Sequence, residues 1–222
     1  MGKMIALPAN GRTCPGYLAE PATADARSRG VIVIQEWWGL NSDIKSVADR
    51  FAGHGYLALA PDVYHGKQTQ SSDEAERLLM ALDVGEAEVD LRGAIAHLRQ
   101  DTGHPVGIVG FCMGGALALF AACRNGDSIA ACVVYYGRHP KIAYDLDGLR
   151  APLLGHWAGE DAWANEGVPG LSADLQKRGR PFEFHTYPET KHAFFKRDGV
   201  NYQRAAAEAS WRRTLAFLAQ HL

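Results

Sequence analysis

No stretch of these 222 residues is apolar for long enough to span a bilayer, and no block of Lys and Arg breaks a formal net charge of −2. A span needs about 20 consecutive apolar residues. The even charge removes the electrostatic footprint of nucleic-acid or anionic-membrane binding, so neither is expected as a partner. The start, Met1-Gly2-Lys3-Met4-Ile5-Ala6, lacks the apolar core of a signal peptide and the Ser or Thr at position 6 that a myristoylation signal wants. Cysteine is scarce: four residues (Cys14, Cys112, Cys123, Cys132), none in a C-x-x-C pair, do not make a disulfide framework. A reducing, cytoplasmic setting is therefore expected. No H-x-x-x-H pair or Cys/His cluster occurs, and His185 and His192 lie seven apart on a strand and its loop, so no metal site is expected. Internal repeats and low-complexity tracts are absent too.

What is present is an alternation of strands and helices. Met4 to Leu7 and Gly16 to Ala19 flank Asn10-Gly11 and read as an N-terminal hairpin within residues 1–20. Pro21 to Arg29 is a polar connector. Val31-Ile32-Val33-Ile34 is a β-branched run of the kind buried on both faces. Ile44, Val47, Ala48 and Phe51 then mark a helix capped by Asn41 or Ser42. Tyr56 to Ala60 is the next strand, and residues 66 to 84 read as a peripheral excursion, helical around Ala75 to Leu82. Leu91, Ala94, Ile95 and Leu98 make a further helix face. Ala130–Tyr136, Pro152–Ala158 and Phe182–Tyr187 are later strands, with helices at Leu171–Arg178 and around Trp211. This order predicts one α/β domain over residues 1–222, a mostly parallel sheet with helices on both faces.

The chain is organised around Gly110-Phe111-Cys112-Met113-Gly114-Gly115, which comes after the apolar run Val106–Val109 and precedes a helix striped by Ala116, Leu119, Phe120 and Cys123. Gly-x-Nuc-x-Gly between a buried strand and a helix puts a nucleophile on a sharp turn, with glycines where any Cβ would press on a neighbour. The helix N-terminus then aims its free N–H groups at the sulfur. A lone cysteine more often simply packs, so a catalytic role for Cys112 depends on an acid and a histidine at later strand ends.

In open α/β sheets reactive groups collect at the carboxyl ends of strands. The strand ending at Ala158 runs into Gly159-Glu160-Asp161, and the strand ending at Tyr187 runs into Pro188-Glu189-Thr190-Lys191-His192. Nucleophile, acid and histidine thus fall in the chain order of the α/β-hydrolases. His192 can hold the Cys112 thiolate and protonate the leaving group, and Asp161 can fix its tautomer. Glu160 is the rival acid. Glu36 closes the Val31–Ile34 strand; it reads either as a strand-end carboxylate bonded to backbone, the favoured reading from the residues alone, or as an acceptor for the thiol proton. The backbone N–H groups of Trp37 and Met113 are the expected oxyanion donors.

Together with Gln35-Glu36-Trp37-Trp38-Gly39-Leu40-Asn41 and Ala60-Pro61-Asp62-Val63-Tyr64, these segments resemble the dienelactone hydrolase family. The likeness runs from about residue 30 onward, and Cys in place of Ser at the elbow makes it specific. It implies an α/β-hydrolase fold and a Cys-His-Asp hydrolase of small lactones or esters, without metal or organic cofactor. Carried onto this chain, it assigns the nucleophile to Cys112, the base to His192, the acid to Asp161, and a pairing with the resting thiol to Glu36. The family's arginine positions for a substrate carboxylate align here with Gly66 and Lys196, beside Arg197. One such clamp is lost and the other weakened, since Lys gives no bidentate fork. With Trp38 as a flat wall and Arg138 as the next cation to consider, neutral, planar esters or lactones are the expected substrates. A thioesterase or peptidase-like acyl transfer on the same triad, and a silent ligand-binding or redox-sensing protein, are the alternatives.

Overall fold

The computed structural model describes residues 2–9, 11–22 and 29–222. Asn10 of the hairpin turn and most of the Pro21–Arg29 connector lie outside them. In chain order the elements are β1 (Lys3–Ala9), β2 (Arg12–Ala19), β3 (Arg29–Ile34), α1 (Ser42–Gly53), β4 (Tyr56–Pro61), α2 (Ser72–Ala81), α3 (Val84–Thr102), β5 (Val106–Phe111) and α4 (Met113–Asn125). After a 3-10 turn at Gly126–Ser128 come β6 (Ile129–Tyr135), β7 (Leu153–Ala158), α5 (Ala162–Asn165), α6 (Val168–Lys177), β8 (Phe182–Tyr187) and α7 (Arg204–His221).

The strands form one eight-stranded sheet in the order β1-β2-β4-β3-β5-β6-β7-β8. β1 and β2 pair antiparallel, β2 joins β4 antiparallel, and every pairing from β4 through β8 is parallel. Alternate residues of the β-branched strands serve opposite faces. Ile32, Ile34 and Ile108 pack with Leu91 and Leu98 of α3 and Leu117 of α4. Val31, Val33 and Val109 pack on the other face with Ile44 and Phe51 of α1 and Trp211 of α7. The apolar stripes expected of α1 and α3 are the buried ones.

Elements differ from expectation where local chemistry outweighs periodicity. α6 starts three residues earlier than the apolar stripe suggests, because Pro169 sits in its first turn, where a missing N–H costs nothing. The four-residue α5 has no apolar period to betray it; Asp161 initiates it by accepting the Ala164 N–H at 3.1 Å. Among the described residues no helix is long and apolar enough to cross a membrane.

β3 decides where the site lies. The chain leaves it through α1 to β4 on one side, then returns through α2 and α3 to β5 on the other. Connections diverge there, and a crevice opens beyond the carboxyl ends of β3 and β5, the ends that carry Glu36 and Cys112.

Candidate active site

Cys112 caps α4 with φ 54° and ψ −120°, a left-handed backbone that a non-glycine residue adopts only when its surroundings force it. Two close approaches force it here. A Cβ on Gly110 would fall 1.9 Å from the Gly114 carbonyl oxygen, and one on Gly114 would fall 2.4 Å from the Gln35 carbonyl oxygen. The strand, the turn and the helix start are therefore in backbone contact. Cys112 is anchored by its N–H to the Tyr135 carbonyl at 3.0 Å. Its side chain sits at the N-terminus of a 13-residue helix, whose dipole favours a thiolate. Among the described residues, neither the Trp37 nor the Met113 backbone N–H has a protein acceptor. Behind Met113, Tyr64 donates its hydroxyl to the Met113 sulfur at 3.2 Å.

His192 reaches the same crevice from the loop after β8. Phe194 and Phe195 are buried and pin that loop, Phe195 stacking on Phe111 at 5.1 Å between centroids. Asn201 Nδ2 donates to the His192 carbonyl at 2.9 Å. His192 Nδ1 lies 2.5 Å from Asp161 Oδ2, while Asp161 Oδ1 caps α5. One carboxylate thus starts a helix and orients an imidazole. The adjacent Glu160 is exposed and Asp161 is buried, which separates the two candidate acids. Burial alone would lower the His192 imidazole. The hydrogen bonds and charges of Asp161 and Cys112 outweigh it and lift the group to about 10. Asp161 thus favours the imidazolium, the form that pairs with a thiolate.

Glu36 is 4% exposed, and burial lifts its carboxyl to about 7 against the pull of His192 and Lys196. Its Oε1 accepts the Tyr136 hydroxyl at 3.4 Å; among the described residues no hydrogen bond joins it to Cys112. Tyr136 itself has φ 39° and stands 5.0 Å from the His192 ring, edge to face. In the sequence it was visible only as a strand end. The carboxyl-edge rule that picks out Glu36 picks out Tyr136 equally well, since β5 and β6 are neighbours.

A cavity of about 1180 Å³ opens over Cys112 and His192. Trp37 and Trp38 form one wall, edge to face at 5.1 Å. Gln68, Thr69 and Gln70, from the stretch read as peripheral, line the cavity too. Gly39 brings that stretch in: its φ is 90°, and a Cβ there would lie 2.4 Å from the Lys67 carbonyl oxygen. Thr69 N–H then bonds the Trp38 carbonyl at 3.2 Å. The lining is thus more polar than the tandem tryptophans suggest. Of the candidate cations, Lys196 lines this cavity and Arg197 lines a small neighbouring one. Arg138 lies in a separate cavity, paired with Glu166 at 2.5 Å and stacked 5.3 Å over Trp163, because α5 and its C-cap offer it both an aromatic face and a carboxylate. Gly66 donates its N–H to Asp62 Oδ2 at 2.6 Å. Among the described residues no group of three or more His, Cys, Asp or Glu side chains could hold a metal ion.

Comparison with known proteins bears on this geometry. The model of the dienelactone hydrolase family matches residues 14–222. The chain belongs to the dienelactone hydrolase family. It is 34% identical to the protein usf of Aquifex pyrophilus over all of both chains. It is 30% identical to a Saccharolobus solfataricus protein provisionally named a carboxymethylenebutenolidase, covering 98% of each. A crystal structure of a Klebsiella pneumoniae protein, provisionally named a dienelactone hydrolase, superposes with a TM-score of 0.90 at 27% identity, over 99% of this chain and 98% of that one. Membership in the dienelactone hydrolase family makes the chain a hydrolase of lactones or esters with the α/β-hydrolase fold, acting on small molecules.

Proposed function

We propose that this protein hydrolyses carboxylic esters or lactones through an acyl-enzyme on Cys112. The observation that carries the reading is the meeting of three strand ends: Cys112 at φ 54° on a helix N-terminus, beside an imidazole held 2.5 Å from a buried aspartate. In the mechanism this supports, the Cys112 thiolate attacks the carbonyl carbon, and the new oxyanion takes hydrogen bonds from the Trp37 and Met113 N–H groups. The intermediate collapses, the acyl C–O bond breaks, and His192 gives its proton to the departing oxygen. A water then loses a proton to His192 and attacks the thioester. The C–S bond breaks, the acid leaves, and the thiolate is paired with imidazolium again. Asp161 holds the tautomer throughout. Glu36, with a carboxyl near 7, is the group able to pair with the resting thiol and take its proton when a substrate carbonyl enters, releasing the thiolate to His192.

A panel of p-nitrophenyl esters, lactones and thioesters, assayed with wild type and Cys112→Ala, tests this. Turnover should disappear in the variant while the circular dichroism spectrum stays native, and mass spectrometry of quenched wild type should place the acyl group on Cys112. Retention of a tenth of wild-type activity by Cys112→Ala would remove the covalent step.

A further inference from the structure

Two lysines line the cavity over Cys112, and they differ in what already holds them. Lys45 has its ammonium 5.9 Å from the Tyr17 ring centroid. Lys196 lies four residues after His192, its side chain only 14% exposed, with Nζ 3.4 Å from Asp43 Oδ2 and in contact with Asp198 Oδ1. It also faces the Glu36 carboxyl. The two carboxylates that hold it differ in kind. Asp43 is built in: it belongs to the first turn of α1, and its backbone N–H bonds the Asn41 cap at 3.1 Å. Asp198 sits on an open turn ahead of the fully exposed Val200, with its side chain 68% exposed, and it lines the cavity itself.

Asp198 therefore occupies the place on Lys196 that a carboxylate of a bound molecule would take. We infer that Asp198 sets the charge selectivity of this site: by satisfying Lys196 from within the chain, it leaves the cavity matched to substrates that are uncharged next to the scissile ester. An anionic group beside His192 finds Lys196 already paired and meets the Asp198 and Glu36 carboxyls. Ester, hydroxyl or amide oxygens instead find the neutral amides of Gln68, Gln70 and Asn201. The inference rests on the hydrolase reading proposed for Cys112 and adds to it the residue that selects among esters.

The probes are a matched pair of acetate esters, 4-acetoxybenzamide and 4-acetoxybenzoate, near isosteres that differ in one remote charge. The reading is the ratio of their kcat/KM values within each variant, so intrinsic reactivity cancels between variants. Wild type should favour the neutral ester. Asp198→Asn should open the outer side of Lys196, which keeps Asp43, and move the ratio toward the acid by about tenfold, the scale of one charge-assisted hydrogen bond. Adding Lys196→Ala should cancel that shift, and 0.5 M salt should shrink it. If Asp198 only braces its turn, Asp198→Asn lowers both esters alike with an unmoved ratio, and the inference is overturned. A wild-type preference for the acid overturns it too. Failure of the hydrolase reading looks different, since neither ester would then be turned over in a Cys112-dependent way.

Discussion

At Cys112 one torsion angle decides where the sulfur sits. A φ of 54° on a residue with a Cβ costs on the order of 1–3 kcal/mol, and it lifts the sulfur clear of the strand and over the first turn of α4. Around it two titratable groups are displaced in the same direction with different consequences. His192 sits near 10 when folded, against about 6.5 in an unfolded chain, so the folded state holds its proton more firmly. That stabilisation is complete below about pH 6.5 and is lost as pH rises through about 10. Glu36, lifted by burial to about 7, likewise favours the folded state only while protonated. Its contribution is full below about pH 4.5 and gone above about 7. Glu36→Gln removes the cost of ionising a buried carboxyl, so its melting temperature should rise relative to wild type as pH climbs through that window, then keep a constant margin. Calorimetry from pH 4 to 9 checks this; a margin independent of pH contradicts it. The same variant should alter the pH profile of Cys112 alkylation by iodoacetamide if Glu36 pairs with the resting thiol. His192→Ala and Asp161→Asn should each lower kcat, by roughly 10⁴ where the tautomer is lost. Glu160→Gln should be nearly silent, because that carboxylate is exposed.

The element that holds these residues together is the β5–turn–α4 unit, and its tolerance is set by backbone rather than side chains. A methyl group on Gly114 would meet the Gln35 carbonyl at 2.4 Å and drive β3 away from α4. Gly114→Ala should cost roughly 1–3 kcal/mol of stability in a denaturant titration. It should cost more in activity, because Gln35 precedes Glu36 and Trp37, whose N–H is the donor proposed for the oxyanion. Equal, small losses in both would mean the turn relaxes freely. This unit was legible in the sequence: two glycines around a cysteine, between a β-branched run and an apolar stripe, leave few other conformations. α5 was not, since a single turn has no period, and its start depends on Asp161 doing two jobs. The wall at residues 68–70 was illegible for another reason. Its polar residues look like a solvated excursion until Gly39, some thirty residues earlier, lets the Lys67 carbonyl approach.

Over the whole molecule, both faces of the sheet are sealed by helices, and every strand from β4 to β8 is shared between the two cores. Neither half of the chain can keep its core without the other. Thermal unfolding followed by tryptophan fluorescence and far-UV circular dichroism should therefore coincide in one transition, with a heat-capacity change of about 3 kcal/mol/K for a chain of this length. Separate transitions would mean that the β1–β2 hairpin or the α5–α6 segment unfolds on its own.

Local patterning by itself determined the α/β alternation, the elbow around Cys112, and the strand ends that carry Asp161 and His192. These depend on residue period, glycine spacing and chain order, all of which are properties of short segments. Only the tertiary structure decided which partners those residues keep. Glu36 lies against Tyr136, a hundred residues away in the chain, because β3, β5 and β6 are consecutive in the sheet. Lys196, which the sequence offers as a spare cation beside His192, is held between Asp43 and Asp198 because the His192 loop folds back over the start of α1. Arg138 turns to Glu166 and Trp163 instead of the cavity. Charge pairing over such distances leaves no period in the chain; it exists only once the sheet has set which loops are neighbours.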